Sequence, residues 1–198
     1  MDERNDTPGR LTSAEADLLL QVARAALQRA VQTGNADEPW LPPIEVPEPL
    51  LEEGASFVTL HVDGALRGCI GSAQAYRPVL VDVASNAMRA ALLDPRFDYI
   101  TQEELPRTEI EISILTPLMP LAYRDGSDLT DQLRPHIDGV MVVRDHNRAL
   151  LLPQTWDLAP DRHEFMAILC RKAGLPDNAY MEGDVEVYTF QVYSICEG

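Results

Sequence analysis

Leu66-Arg67-Gly68-Cys69-Ile70-Gly71 gathers a thiol, a fixed cation and two glycines into six residues. A guanidinium two positions from a cysteine on one strand face favours the thiolate. Gly68 and Gly71 bracket the sulfur and leave room for a backbone, a ligand or a second chain to come close. Such a group offers nucleophilic attack or covalent carriage by sulfur, anion recognition by the planar arginine fork, and charge stabilisation by backbone N–H groups from Gly68 to Ser72. Plainer readings stand beside these. Cys69 can be a small apolar residue in a strand, and Arg67 can pair across a sheet with a carboxylate such as Glu109 or Glu111.

The element that must present these groups is a hairpin. Asp63-Gly64 is a strong two-residue turn signal between Phe57 and Gly71. A tight turn there predicts pairs 62 with 65, 60 with 67 and 58 with 69. Arg67 and Cys69 then share a face with Val58, Leu60 and Val62, and His61 falls on the other face with Phe57, Thr59, Leu66 and Ile70. A slip of one residue would exchange the faces.

Around the hairpin the pattern predicts an α+β fold, a mainly antiparallel sheet flanked by helices, with a smaller second lobe. Residues 1–11 are expected to form a disordered terminus and 12–198 the domain. Thr12-Ser13-Ala14-Glu15 reads as a capping box opening a helix that Gly34 ends. Prolines 39, 42, 43, 47 and 49 make the next segment an ordered wrap or linker, with Trp40 and Leu41 as anchors. A helix follows Pro78 and stops at Asp94-Pro95, with a small-residue face (Ala84, Ala87, Ala91) suited to close packing on a sheet. Glu109 to Leu115 alternates as a half-buried strand. A short helix is expected near Leu129, a hairpin from Val140 to Leu152, a helix capped at Asp161 and stopped at Gly174, and one long strand from Val185 to Ile195. Lobe boundaries are expected at the proline-rich wrap or between Pro117 and Pro135.

The totals narrow the classes of function. With 198 residues, 45% hydrophobic and 24% charged, the chain can bury a core without metal or disulfide support. A formal charge of −16 opposes phosphate-backbone binding, so nucleic acid is not an expected partner. No apolar run reaches membrane-spanning length and no signal peptide opens the chain, so a cytoplasmic location is expected. Cys69, Cys170 and Cys196 lack paired spacing, and His61, His136, His146 and His163 lack ligand spacing; neither a metal nor a cofactor is expected.

The chain resembles the AMMECR1 domain family. The signature Leu66 to Gly71 is joined, in the family's order, by Phe57-Val58-Thr59-Leu60, Asp94-Pro95-Arg96-Phe97 and the run Glu109 to Pro117. Gly139-Val140, Leu151-Leu152-Pro153-Gln154, Glu164-Phe165 and Lys172-Ala173-Gly174-Leu175 complete the match, which spans about 12–194. The resemblance implies a two-lobed α+β fold and, in prokaryotes, service beside a Memo-like protein and a radical SAM enzyme. It carries no established activity. Asp98-Tyr99, Ser72 and Tyr180 depart from the usual family residues and bear on ligand shape.

The expectation is a cleft at the signature, contacted by Arg67, Gly68, Gly71, Ser72, Asp94, Arg96 and Gln154, that holds a small molecule, a peptide or a partner's terminus. The alternative is a cysteine-dependent enzyme with Cys69 as its catalytic nucleophile and Arg67 as thiolate stabiliser and anion anchor. His61, on the opposite face, is a poor base for it.

Overall fold

The structure is a computed structural model that describes residues 11–37 and 40–197. Its backbone divides into two compact units: residues up to Ile114 together with Tyr193 onward, and Leu115–Val192 between them. The proline-rich wrap, one of the two places where a boundary was expected, lies inside the first unit, where Trp40, Leu41 and Val46 pack against its core. The disordered terminus expected over 1–11 falls outside the described residues except for Leu11, which packs on that same core.

In the first unit, α1 (Ser13–Thr33) opens on the capping box read from Thr12 and Glu15 and closes on Gly34 at φ 65°. A hairpin, β1 (Ala55–Val62) and β2 (Ala65–Gly71), turns through Asp63 and Gly64, both at positive φ as the favoured two-residue turn requires. Next come α2 (Val79–Leu92), with Pro78 as its cap, and β3 (Thr108–Leu115). The last strand of the chain, β8 (Val192–Cys196), completes a four-stranded sheet in the order β2-β1-β3-β8. Both helices contribute to one hydrocarbon core with Val58, Leu60, Ile110 and Ile112.

In the second unit, β4 (Met119–Pro120), β5 (Gly139–Arg144), β6 (Asn147–Leu151) and β7 (Glu186–Phe190) form a second four-stranded sheet in the order β4-β7-β5-β6. Helices α3 (Gly126–Gln132) and α4 (Arg162–Lys172) accompany it. The Trp156 and Phe165 rings stack with centroids 3.7 Å apart in its core, and the indole N–H donates to the Asp138 carbonyl at 2.8 Å.

The fold class is therefore α+β with antiparallel sheets, and two expectations about strands need correction. The single strand read from Val185 to Ile195 is two strands broken at Gln191, one in each sheet. Gln191 and Thr116 hold that break through Thr116 N–H to Gln191 O (2.9 Å) and Gln191 N–H to Thr116 Oγ1 (2.8 Å). The second correction is the register of the first hairpin. It begins as expected with Val62 opposite Ala65 and His61 opposite Leu66, then shifts at Leu60/His61, so Leu60 faces Gly68 and Thr59 faces Cys69. Arg67 is the extra residue of a β-bulge.

Candidate functional site around Cys69

The bulge changes which face the thiol occupies. Val58 and Leu60 are fully buried toward the helices, and Gly68, opposite Leu60, lies on that side. A Cβ at Gly68 would collide with the carbonyl oxygen of Ala90 in α2, so only glycine lets helix and strand approach this closely. Cys69, one position on, points to the other face with Thr59, against the expectation that grouped it with Val58 and Leu60. By the same alternation His61 shares that polar face, and so do Glu109, Glu111 and Ser113, because Ile110 and Ile112 point into the core. Ser113 and Ser194 Oγ atoms lie 3.5 Å apart there.

Cys69 is half-buried, and the Thr59 hydroxyl donates to its sulfur at 3.4 Å. Its backbone groups point outward from the sheet edge and are met by side chains of the loop after α2. Its N–H donates to Asp94 Oδ2 at 2.8 Å, and its carbonyl accepts from Arg96 Nη2 at 3.5 Å. Asp94 and Arg96 thus stand where a neighbouring strand would, an acceptor and a donor closing one position of an exposed edge.

Asp94 is 2% exposed at its side chain and takes Arg96 Nε at 2.9 Å, Arg96 Nη2 at 2.7 Å and the Arg96 N–H at 3.1 Å. The Arg96 guanidinium, the Cys69 N–H and the Arg96 N–H hold its carboxyl far below the usual carboxylate range, although burial opposes them. Asp94 in turn raises the pKa of Arg96, to which the Cys69 sulfur adds a smaller share. The guanidinium side chain is 56% exposed and lies over the Phe97 ring at 5.3 Å. The cation beside the thiol is therefore Arg96.

Arg67, expected to hold an anion and sustain the thiolate, is committed elsewhere. Its Nε donates to Glu104 Oε1 at 2.9 Å, Nη2 donates to the Tyr99 carbonyl at 3.1 Å, and Nη1 donates to the Asp98 carbonyl. Its partner is Glu104 in the loop before β3, not Glu109 or Glu111 on the strand. Burial works against ionised Glu104, but the Thr101 N–H and Arg67 outweigh it and lower the carboxyl's pKa. The bulge explains the change of role: it turns Arg67 out of the alternation and toward residues 98–104.

Gly71 faces Phe57, whose ring fills the space a Cβ would need. Ser72 donates to Asp82 Oδ1 at 2.7 Å. Asp82, fully buried in the first turn of α2, also accepts from Ser56 N–H (2.9 Å), Ser56 Oγ (2.7 Å), Asn86 Nδ2 (2.9 Å) and Arg77 Nε (2.8 Å). Sequence reasoning missed this network. The available signal was Asp82 and Asn86, one helical turn apart in an otherwise apolar helix. Gln154 is exposed in the second unit, in a 3-10 turn over Pro153–Asp157.

A groove of about 560 Å³ in the first unit takes in Glu109 but none of Cys69, Asp94 and Arg96. Arg24 on its wall donates to Glu197 Oε1 at 3.0 Å and to the carbonyls of Leu105 (3.3 Å) and Thr108 (2.6 Å), which ties α1 to the start of β3 and to the residue after β8. Among the described residues no group of histidine, cysteine, aspartate or glutamate side chains is arranged to hold a metal, and no helix is long and apolar enough to cross a membrane.

Fold and site together define a two-sheet α+β protein whose first sheet buries one face under helices and carries a thiol on the other. The AMMECR1 family model matches residues 20–195, and the chain belongs to that family. A protein of Thermofilum pendens is 36% identical over 96% of this chain and 92% of its own length. Protein PF1979 of Pyrococcus furiosus is 33% identical over 91% of this chain and 87% of its own. The crystal structure of uncharacterized protein PH0010 from Pyrococcus horikoshii superposes with a TM-score of 0.83 at 31% identity, covering 93% of this chain and 92% of the other.

Proposed function

We propose that this chain is a binding component rather than a free-standing catalyst. Its polar sheet face, centred on Cys69, holds a small ligand or a partner's segment in the service of a Memo-like protein and a radical SAM enzyme. The observation that supports this reading is the environment of the sulfur. Among the described residues Cys69 takes a hydroxyl from Thr59, and no imidazole or carboxylate hydrogen-bonds to it. Its own N–H, the nearest donor for an oxyanion, is occupied by Asp94. A nucleophilic cysteine needs a base within hydrogen-bond reach and free donors for developing charge. A recognition surface needs neither.

The partners follow from the family resemblance, and association is measurable. Tagged protein mixed with the Memo-like and radical SAM proteins of the same genome is expected to retain both. Cys69→Ser, which preserves size, is expected to leave retention and the radical SAM turnover within about threefold, well under the tenfold that corresponds to about 1.4 kcal/mol. Cys69→Trp, which fills the face, is expected to abolish both. Full retention with turnover lost in Cys69→Ser would replace the binding reading with a thiol enzyme.

A further inference from the structure

The polar face carries two opposite charges on either side of the thiol. Arg96 reaches around the β2 edge to Cys69, and Asp94 occupies its Nε and Nη2. Its Nη1 takes no protein oxygen among the described residues, and the side chain is 56% exposed, so donors remain for a guest. On the far side stands Glu111 of β3, half-buried and, among the described residues, in no ion pair or hydrogen bond.

The sheet places Glu111 in the row of Cys69. Asp63 N–H donates to the Arg107 carbonyl at 3.5 Å where β1 and β3 run together. Counting back along these antiparallel strands brings Thr59 opposite Glu111, and the buried pairs Leu60/Ile110 and Val58/Ile112 agree with that count. Cys196 of β8 follows on the other side, where the Glu111 charge helps raise its thiol pKa. The row across the sheet reads Cys69, Thr59, Glu111, Cys196.

We infer that this face takes a short zwitterionic peptide, its carboxylate on Arg96, its ammonium on Glu111 and its middle over Thr59 and the Cys69 sulfur. The inference rests on the reading of this face as a recognition surface and names the ligand class. Charge complementarity selects the occupant: an anion alone leaves Glu111 bare, and a cation alone leaves Arg96 unused. Length agrees as well. Two strand spacings separate Cys69 from Glu111, about 10 Å, and Arg96, standing where the next strand would, brings the span to roughly 15 Å; an extended di- or tripeptide covers about 7–11 Å at roughly 3.5 Å per residue and gains about 3 Å from the hydrogen bond at each end.

The test is calorimetric titration of the full chain with trialanine, N-acetyl-trialanine and trialanine amide. Free trialanine is expected to bind saturably, and each blocked form at least tenfold more weakly. Glu111→Gln is expected to erase the penalty of acetylation and keep that of amidation. Arg96→Lys retains a cation for buried Asp94 while losing the Nη1 donors offered to the guest, and is expected to shrink the amidation penalty alone; circular dichroism confirms that it folds. Absence of saturable trialanine binding, or variants that weaken all three peptides equally, overturns the inference. If partner retention persists in either case, the ligand class fails and the accessory reading survives. If peptide selectivity holds while retention is absent, the accessory reading fails and the ligand class survives.

Discussion

At the scale of single residues, the site depends on which arginine is free. Two arginines lie near the signature, and sequence proximity favours Arg67, two positions from the thiol. Its commitment to Glu104 and two loop carbonyls makes it a strut, while Arg96, distant in sequence, reaches the Cys69 carbonyl. Asp94 is the hinge of that arrangement, and its ionisation has a measurable consequence. A carboxyl whose folded pKa lies below its unfolded value of about 3.9 contributes stability that is complete above that value. The contribution disappears as pH falls through the folded pKa. Wild-type urea stability is therefore expected to fall between about pH 4 and pH 2. Asp94→Asn, less stable at neutral pH, is expected to change less over that window. Parallel losses in the two proteins would contradict the assignment. Motif reading singled out Asp94, Arg96 and Cys69, but not their mutual contacts, because a pair that joins a helix end to a strand edge leaves no periodic trace.

At the scale of elements, the bulge decides the chemistry. Alternation predicted the hairpin, its turn and both strands, and it put Val58 and Leu60 together on one face, which the structure buries in hydrocarbon. It failed two residues into β2, because inserting a single residue preserves every local propensity while exchanging the faces beyond it. The polar residues buried in α2 were hidden for a related reason: Asp82 is fully buried, and Ser85 and Asn86 are 4% and 2% exposed, on a helix whose apolar positions alone define its face. The close approach of α2 to β2 makes a sharper prediction. Gly68→Ala forces a Cβ against the backbone carbonyl of Ala90 and is expected to cost about 1–3 kcal/mol in urea unfolding. Gly71→Ala meets the Phe57 side chain down to its Cγ, which can give way only by a change of χ1 and not by moving backbone, and is expected to cost less. Equal costs would mean that the strand does not lie against the helix as described.

At the scale of the whole molecule, two cores are built from one chain that crosses between sheets twice, after Ile114 and at Gln191. The first crossing was expected a little later in the chain, between Pro117 and Pro135. The second was not expected, because Val185 to Ile195 is uniformly β-forming and a change of sheet needs no change of propensity. Trp156→Ala removes the stacked partner of Phe165 and is expected to cost about 3–5 kcal/mol. Its hydrogen-exchange signature is expected first in β5, β6 and β7, before β1 and β2. Simultaneous loss in both sheets would show that the two cores unfold as one.

The central claim is that Cys69 lies opposite Thr59 on the polar face of the sheet. In a chain whose other cysteines are serine, the pair has its backbone groups turned away from each other. That is the antiparallel arrangement with Cα atoms about 4.5 Å apart, within the range of a disulfide. Thr59→Cys is expected to form a 59–69 disulfide on mild oxidation, read by mass spectrometry of the peptides, and Val58→Cys to form none. A disulfide from Val58→Cys and not from Thr59→Cys would return the sulfur to the hydrocarbon side and remove the site.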